Sequence, residues 1–100
     1  MKTFLKLLVI AALATPAFAQ NKKVVFLADR GKNSKTHAHE SGNELLANAL
    51  EKSELGFETS LHKGWPADPK AFDGADCVVI FCNGGKGHLV MNHLDQFEKL

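Results

Sequence analysis

The residues best suited to chemistry fall in two stretches. The first runs from Asp29 to Glu40 and holds His37-Ala38-His39-Glu40. A His-x-His pair in an extended segment puts two imidazoles on one side, as a metal site requires. The second is Cys82-Asn83-Gly84-Gly85-Lys86-Gly87-His88. Its glycines permit a tight turn and let backbone N–H groups approach a ligand. It matches neither the P-loop nor the dinucleotide fingerprint. Two readings follow for His37, His39 and His88. They bind a divalent metal such as zinc, with Glu40 or Asp29 as a nearby carboxylate, or they hydrogen-bond a polar ligand alongside Glu40, Asn83, Gly84 and Gly85. The plain alternative is a set of solvated loop histidines. A helix beginning near Ser41 favours anions over cations at this place, against the metal.

Cys82 ends an apolar run and precedes Asn83-Gly84, which suits a nucleophile if His37 or His88 supplies the base. Ile80 stands where a nucleophile elbow needs a small residue, which weighs against it. His93 borders an apolar stripe and reads as a packing residue, and His62 as a surface residue. Trp65 beside Pro66 reads as a packing anchor before a sugar-stacking face.

Three apolar runs must position these loops. Val24 to Ala28 is continuous and apolar, as in a strand buried on both faces. Phe57 to His62 alternates, as in a half-covered strand. Cys77 to Phe81 is a second continuous run. Between the first two, Ser41-Gly42-Asn43-Glu44 fits a capping box. Leu45, Leu46, Ala49 and Leu50 form one face of the helix it would open, with Asn43, Glu51 and Lys52 on the other. Gly56 is placed to end that helix. Asp68 as N-cap and Pro69 at the first position predict a helical turn through Phe72, and Asp73-Gly74 a turn. A last helix is predicted from His88 or Leu89, with Val90, Leu94 and Phe97 as its stripe. It meets no stop signal before Leu100. The order βαβαβα predicts an α/β fold with a doubly wound parallel sheet. Three strands and an unterminated helix predict the opening part of a larger domain. In such a sheet ligands bind beyond the strands' carboxyl ends, where both loops lie.

Residues 1–19 have the plan of a secretory signal peptide: Lys2 and Lys6, an apolar run from Leu7 to Ala14, Pro16, and Ala17-Phe18-Ala19 before a cut. That predicts a periplasmic or secreted protein starting at Gln20. The apolar run falls short of the roughly 20 residues of a membrane span, so the mature chain is not expected to be membrane-embedded. Without Lys2 and Lys6 the formal charge is −1, with the five histidines neutral. Such a chain has no electrostatic footprint for nucleic acid. The cluster Arg30, Lys32 and Lys35 reads as a solvated loop. Cys77 and Cys82, five apart in a strand, would lie about 16 Å apart on opposite faces. A disulfide needs Cα atoms roughly 4.4–6.8 Å apart, so two buried thiols are expected instead.

The residues also carry a family resemblance. Val24 to Ala28 followed by His37-Ala38-His39-Glu40-Ser41-Gly42, then Gly64-Trp65-Pro66, Phe72-Asp73-Gly74-Ala75-Asp76 and Val78 to His88, together resemble the opening of ThuA-like (trehalose-utilisation) domains. The resemblance spans nearly all of residues 23–100. It implies a flavodoxin-like fold of the class I glutamine-amidotransferase-like group, without that group's Cys-His-Glu triad. It also implies a role in carbohydrate or glycoside utilisation, with a sugar-derived small molecule as partner. The family's pocket is lined by histidines, and by motif His37, His39 and His88 correspond to them. Gly31 to Thr36 departs from the Ser-His-Gly-rich stretch that precedes the His-x-His in that family. On this resemblance residues 20–100 are the N-terminal part of such a domain. The alternatives are a non-catalytic carbohydrate-binding or scaffold domain of a larger secreted protein, and a Cys82-dependent amidase or hydrolase.

Overall fold

A computed structural model describes residues 21–29 and 38–100. The signal-peptide segment, Arg30 to Thr36 and His37 lie outside the described residues. The chain runs β1 (Lys22–Ala28), α1 (His39–Lys52), β2 (Phe57–Lys63), a 3-10 turn (Pro69–Phe72), β3 (Cys77–Phe81), two further 3-10 turns (Gly85–Gly87 and Leu89–Asn92) and α2 (Leu94–Phe97). The fold is α/β. Its three strands are all parallel, in the order β2-β1-β3.

The central place of β1 follows from its sequence. Val24 to Ala28 are each no more than 5% exposed, because the strand is flanked on both edges and covered on both faces. Side chains alternate across the sheet. Val24 and Phe26 pack with Ala47, Leu50, Phe57 and Val79 on the α1 face. Val25 and Leu27 pack with Phe72, Trp65, Val78, Ile80 and Leu89 on the other. In the register of the sheet, Ala28 stands opposite Lys63 on one side and Phe81 on the other. Asp76 clamps the start of β3. Its N–H donates to the Lys23 carbonyl, and its carboxylate accepts from the Lys23 N–H at 2.8 Å.

The predicted turn chemistry is present. Asp68 accepts from the Lys70 N–H at 2.9 Å with Pro69 at the first position, and Gly74 takes φ +70°. Gly56 is also left-handed at φ +82°, but α1 has already ended at Lys52, and Glu54 takes φ +59° between them.

Five expectations need correction. The helix does not start at a Ser41 cap. It starts at His39, with Ala38 as an N-cap that provides no side-chain bond. Its sheet-facing residues are accordingly His39, Asn43 and Ala47, with Leu50 beside them, while Leu45 and Leu46 are 72% and 52% exposed. Among the described residues β3 pairs with β1 alone, so its run is half-buried, with Cys77 and Phe81 exposed. The two thiols are free as expected, yet Cys77 is exposed and Cys82 half-buried. Finally, residues 88–100 do not form one helix. His93, at φ −137°, separates the 3-10 turn from α2. Its ring lies flat on Trp65, with centroids 4.8 Å apart and planes 6° apart. That contact fixes His93 outside helical geometry.

The helix-face correction has a direct consequence. Phe26→Ala is expected to cost about 3–5 kcal/mol of stability, as a large-to-small change in a closed core. Leu45→Ala, by contrast, is expected to change it by less than about 0.5 kcal/mol, as an exposed position. Urea unfolding of both variants measures this. A large loss for Leu45→Ala would restore the Leu45 face to the core.

Candidate functional site

With β1 in the middle, the chain leaves β1 toward β2 on one side and later reaches β3 on the other. The carboxyl ends of β1 and β3 therefore flank the switch in strand order, where open α/β sheets bind ligands. Asp29, the first residue after β1, organises this place. Its Oδ1 lies 2.7 Å from Nδ1 of His39, at the start of α1. Its Oδ2 accepts from the Asn83 N–H at 3.0 Å, just after β3. One carboxylate thus joins the ends of two strands to the start of the helix between them. A carboxylate only accepts, so Nδ1 is the protonated ring nitrogen.

His39 is 8% exposed. Its ring meets the edge of Phe81, with centroids 4.4 Å apart at 63°. Phe81 in turn lies over Gly42. A Cβ placed at Gly42 would sit 2.7 Å from Cε1 of Phe81, so a side chain there would push the ring from its place over the helix. The local sequence His39-Glu40-Ser41-Gly42 is therefore a packing unit as much as a motif. Burial pushes the Asp29 carboxyl up, but the Asn83 N–H and the hydrogen bond and charge of His39 together hold it below its ordinary 3.8.

The remaining predicted residues divide. Glu40 turns away from β3 and pairs with Lys63 of β2 at 2.7 Å. That contact, by hydrogen bond and then by charge, raises the Lys63 ammonium above its usual 10.5. Asn83 contributes its backbone N–H, while the residue itself is exposed. Gly85 is left-handed at φ +63° and opens the 3-10 turn, so the tight-turn reading of the glycines holds there. Gly84 is extended and open to solvent. His88 is committed to its own loop, where Nδ1 accepts from the Val90 N–H at 3.2 Å and caps the following turn. Among the described residues no three His, Cys, Asp or Glu side chains converge as a metal ion needs. Cys82 makes no hydrogen bond to His39 or His88, so no nucleophile–base pair forms among these described residues.

Trp65 is a packing anchor. His93 covers one part of its ring, Phe72 approaches at 5.1 Å, and its Nε1–H donates to Oε1 of Gln96 at 2.7 Å. A broad open groove beside Asp76, Cys77 and Phe97 lies at the amino end of β3, remote from Asp29.

Two features go beyond what the sequence pattern assigns. Asp29 reads there only as a spare metal carboxylate, although an acidic residue directly after a buried strand is a signal for this position. Asn43 reads as a residue of the solvent face. It is instead 1% exposed, and neither Oδ1 nor Nδ2 has a hydrogen-bond partner. It lines a cavity of about 160 Å³ with Ala28, Glu40, Glu44, Leu61, His62 and Lys63. A buried amide left unsatisfied costs about 1–3 kcal/mol. Ser60 Oγ and His62 Nε2 are likewise buried without partners. By strand alternation they project on the opposite face of β2 from Leu61.

Among the described residues no helix is long and apolar enough to cross a membrane. No family model, curated protein or solved structure matches the chain.

The Asp29 contacts set a pH dependence. A carboxylate whose folded pKa lies below its unfolded value contributes its full stabilisation above the unfolded pKa, and loses it as pH falls through the folded one. Stability should therefore decline below pH about 3.8. Asp29→Asn is expected to lower stability at pH 7 by about 1.5–3 kcal/mol, the range for hydrogen bonds to a charged group, and to flatten that acid decline. Urea midpoints from pH 2 upward test both. An unchanged acid limb in the variant would place the titrating group elsewhere.

Proposed function

We propose that this chain belongs to an exported, flavodoxin-like, doubly wound domain of the ThuA-like kind. Its role is to bind a sugar-derived small molecule beyond the carboxyl ends of β1 and β3. The observation that carries this reading is the junction of Asp29, His39 and the Asn83 N–H at the switch in strand order. Asp29 sets the tautomer and direction of the imidazole. Beside it, the exposed turn of Asn83, Gly84 and Gly85 offers backbone groups at close range. Sugar hydroxyls both donate and accept, and so suit an oriented ring next to open backbone. The assembly is one of recognition. The protein is read as a carbohydrate-binding unit that either carries out or supports glycoside utilisation in the periplasm or outside the cell.

The same Asp–His contact resembles the outer-sphere support that carboxylates give to metal-bound histidines. A zinc ion held by His37, His39 and His88 is therefore the form in which a metal would enter, as a Lewis acid polarising a sugar oxygen.

Calorimetric titration of the exported protein with glucose, trehalose and sucrose, with and without zinc, tests the reading. Saturable binding of at least one sugar is expected, weakened at least tenfold by His39→Ala and by Asp29→Asn. One zinc per chain, lost in His39→Ala, would select the metal form. No saturable binding under either condition would overturn the proposal. Export itself predicts a mature N-terminus at Gln20, which N-terminal sequencing of secreted material checks. A protein retaining Met1 would remove the export reading.

A further inference from the structure

We propose that the cavity between the first two turns of α1 and the carboxyl end of β2 binds a small uncharged polyol, and that the Asn43 carboxamide is its recognition group. This site does not use Asp29 or His39 and stands apart from the one proposed above. Asn43 is 1% exposed, and both its donor and its acceptor lack partners. Buried polar groups in folded proteins are almost always satisfied. A carboxamide with both ends open requires a partner that donates and accepts from neighbouring atoms, as adjacent hydroxyls do.

The walls narrow the class further. Glu40 and Glu44, one helical turn apart, line the cavity with Lys63, which pairs with Glu40. Among the described lining residues, which also include His62, two carboxylates against one ammonium disfavour a phosphate or a carboxylate ligand. A metal cation would satisfy the Asn43 oxygen but leave its Nδ2 hydrogens unmatched. Hydroxyls satisfy all of these groups, since they donate to the carboxylates and accept from the amide. Leu61 and Ala28 supply an apolar wall for the C–H face of such a molecule. The cavity, about 160 Å³, has the liquid volume of roughly five waters at about 30 Å³ each. It is below the roughly 300–1,000 Å³ of drug-sized sites. One short or single-ring polyol is therefore its occupant, and an oligosaccharide is not.

The test is an amide-resolved NMR titration of the chain with glycerol and D-glucose, with sodium phosphate as the anionic control. Saturable shifts are expected at Ala28, Asn43, Glu44 and Lys63 with at least one polyol. Asn43→Leu, which keeps the side chain's size and removes both polar atoms, should weaken binding at least tenfold. Asn43→Asp keeps the shape and acceptor but loses the donor. It should weaken binding in the same direction and serves as the readout if Asn43→Leu does not fold. Asp29→Asn should leave these shifts within twofold, which separates this site from the first. The absence of saturable shifts, an undiminished response in both Asn43 variants, or a response to phosphate equal to that for polyol would each overturn the proposal.

Discussion

A carboxylate at the end of a fully buried strand is an awkward group, and the fold is arranged around the way it is satisfied. Asp29 follows five residues that are closed off from water, so its charge sits at the margin of the core. It accepts from His39 and from the Asn83 backbone, and these two contacts fix what lies on either side. Hydrogen bonds to charged groups contribute about 1.5–3 kcal/mol, and a serine N-cap about 1 kcal/mol. When the local capping signal at Ser41 competes with the bond from His39, the stronger interaction wins. The helix then begins where the Asp29 contact puts it.

Starting α1 at His39 also decides which side chains meet the sheet. His39, Asn43 and Ala47 repeat every four residues and so share one face. That face is unusually lean. Gly42 admits the Phe81 ring and Ala47 lies on Phe26, so the helix comes close to β1. A leucine in either place would hold it off. Leu45 and Leu46 form a second apolar stripe that stays largely open to solvent. The sequence thus offers two hydrophobic faces that share only Leu50, and periodicity alone favours the wrong one. What selects between them is a tertiary contact to a residue ten positions upstream of His39.

The legible parts share a character. Val24 to Ala28 reads as a buried central strand because continuity of apolar residues is itself the signal. Asp68-Pro69 and Asp73-Gly74 read as a turn because their chemistry is local. What stays hidden depends on partners distant in sequence. The stripe Val90, Leu94 and Phe97 has helical spacing, but His93 is captured by Trp65, and that stack breaks the helix. Likewise the His-x-His spacing marks His39 as a residue with a special environment, and the structure gives it one. Its neighbour in space, Asp29, is not joined to it by any pattern, because nothing local in the intervening segment says that the two meet. Geometry within one strand excludes a disulfide between the cysteines, and that argument is local. Their burial is not legible in the same way, because it depends on the place of β3 at the sheet's edge among the described residues.

The first two turns of α1 therefore carry two separate polar faces. His39 looks toward β3, and Glu40, Asn43 and Glu44 look toward β2. Three acidic groups, Asp29, Glu40 and Glu44, gather around the helix's N-terminus, where the exposed N–H groups and the dipole favour negative charge. Asp29 and Glu40 are also each matched by a basic partner, a ring or an ammonium, on the side they face. The arrangement is electrostatically consistent without a ligand on the His39 side. On the Asn43 side the charges balance only in part, and the amide remains unmatched. The Asn43 carboxamide, left unsatisfied beside the likewise unpartnered His62 Nε2, is uncharged, donor and acceptor at once, and fixed to a rigid helix. Those properties select a hydroxylated ligand over an ion, and they hold whatever the chemistry on the far side of the same turn.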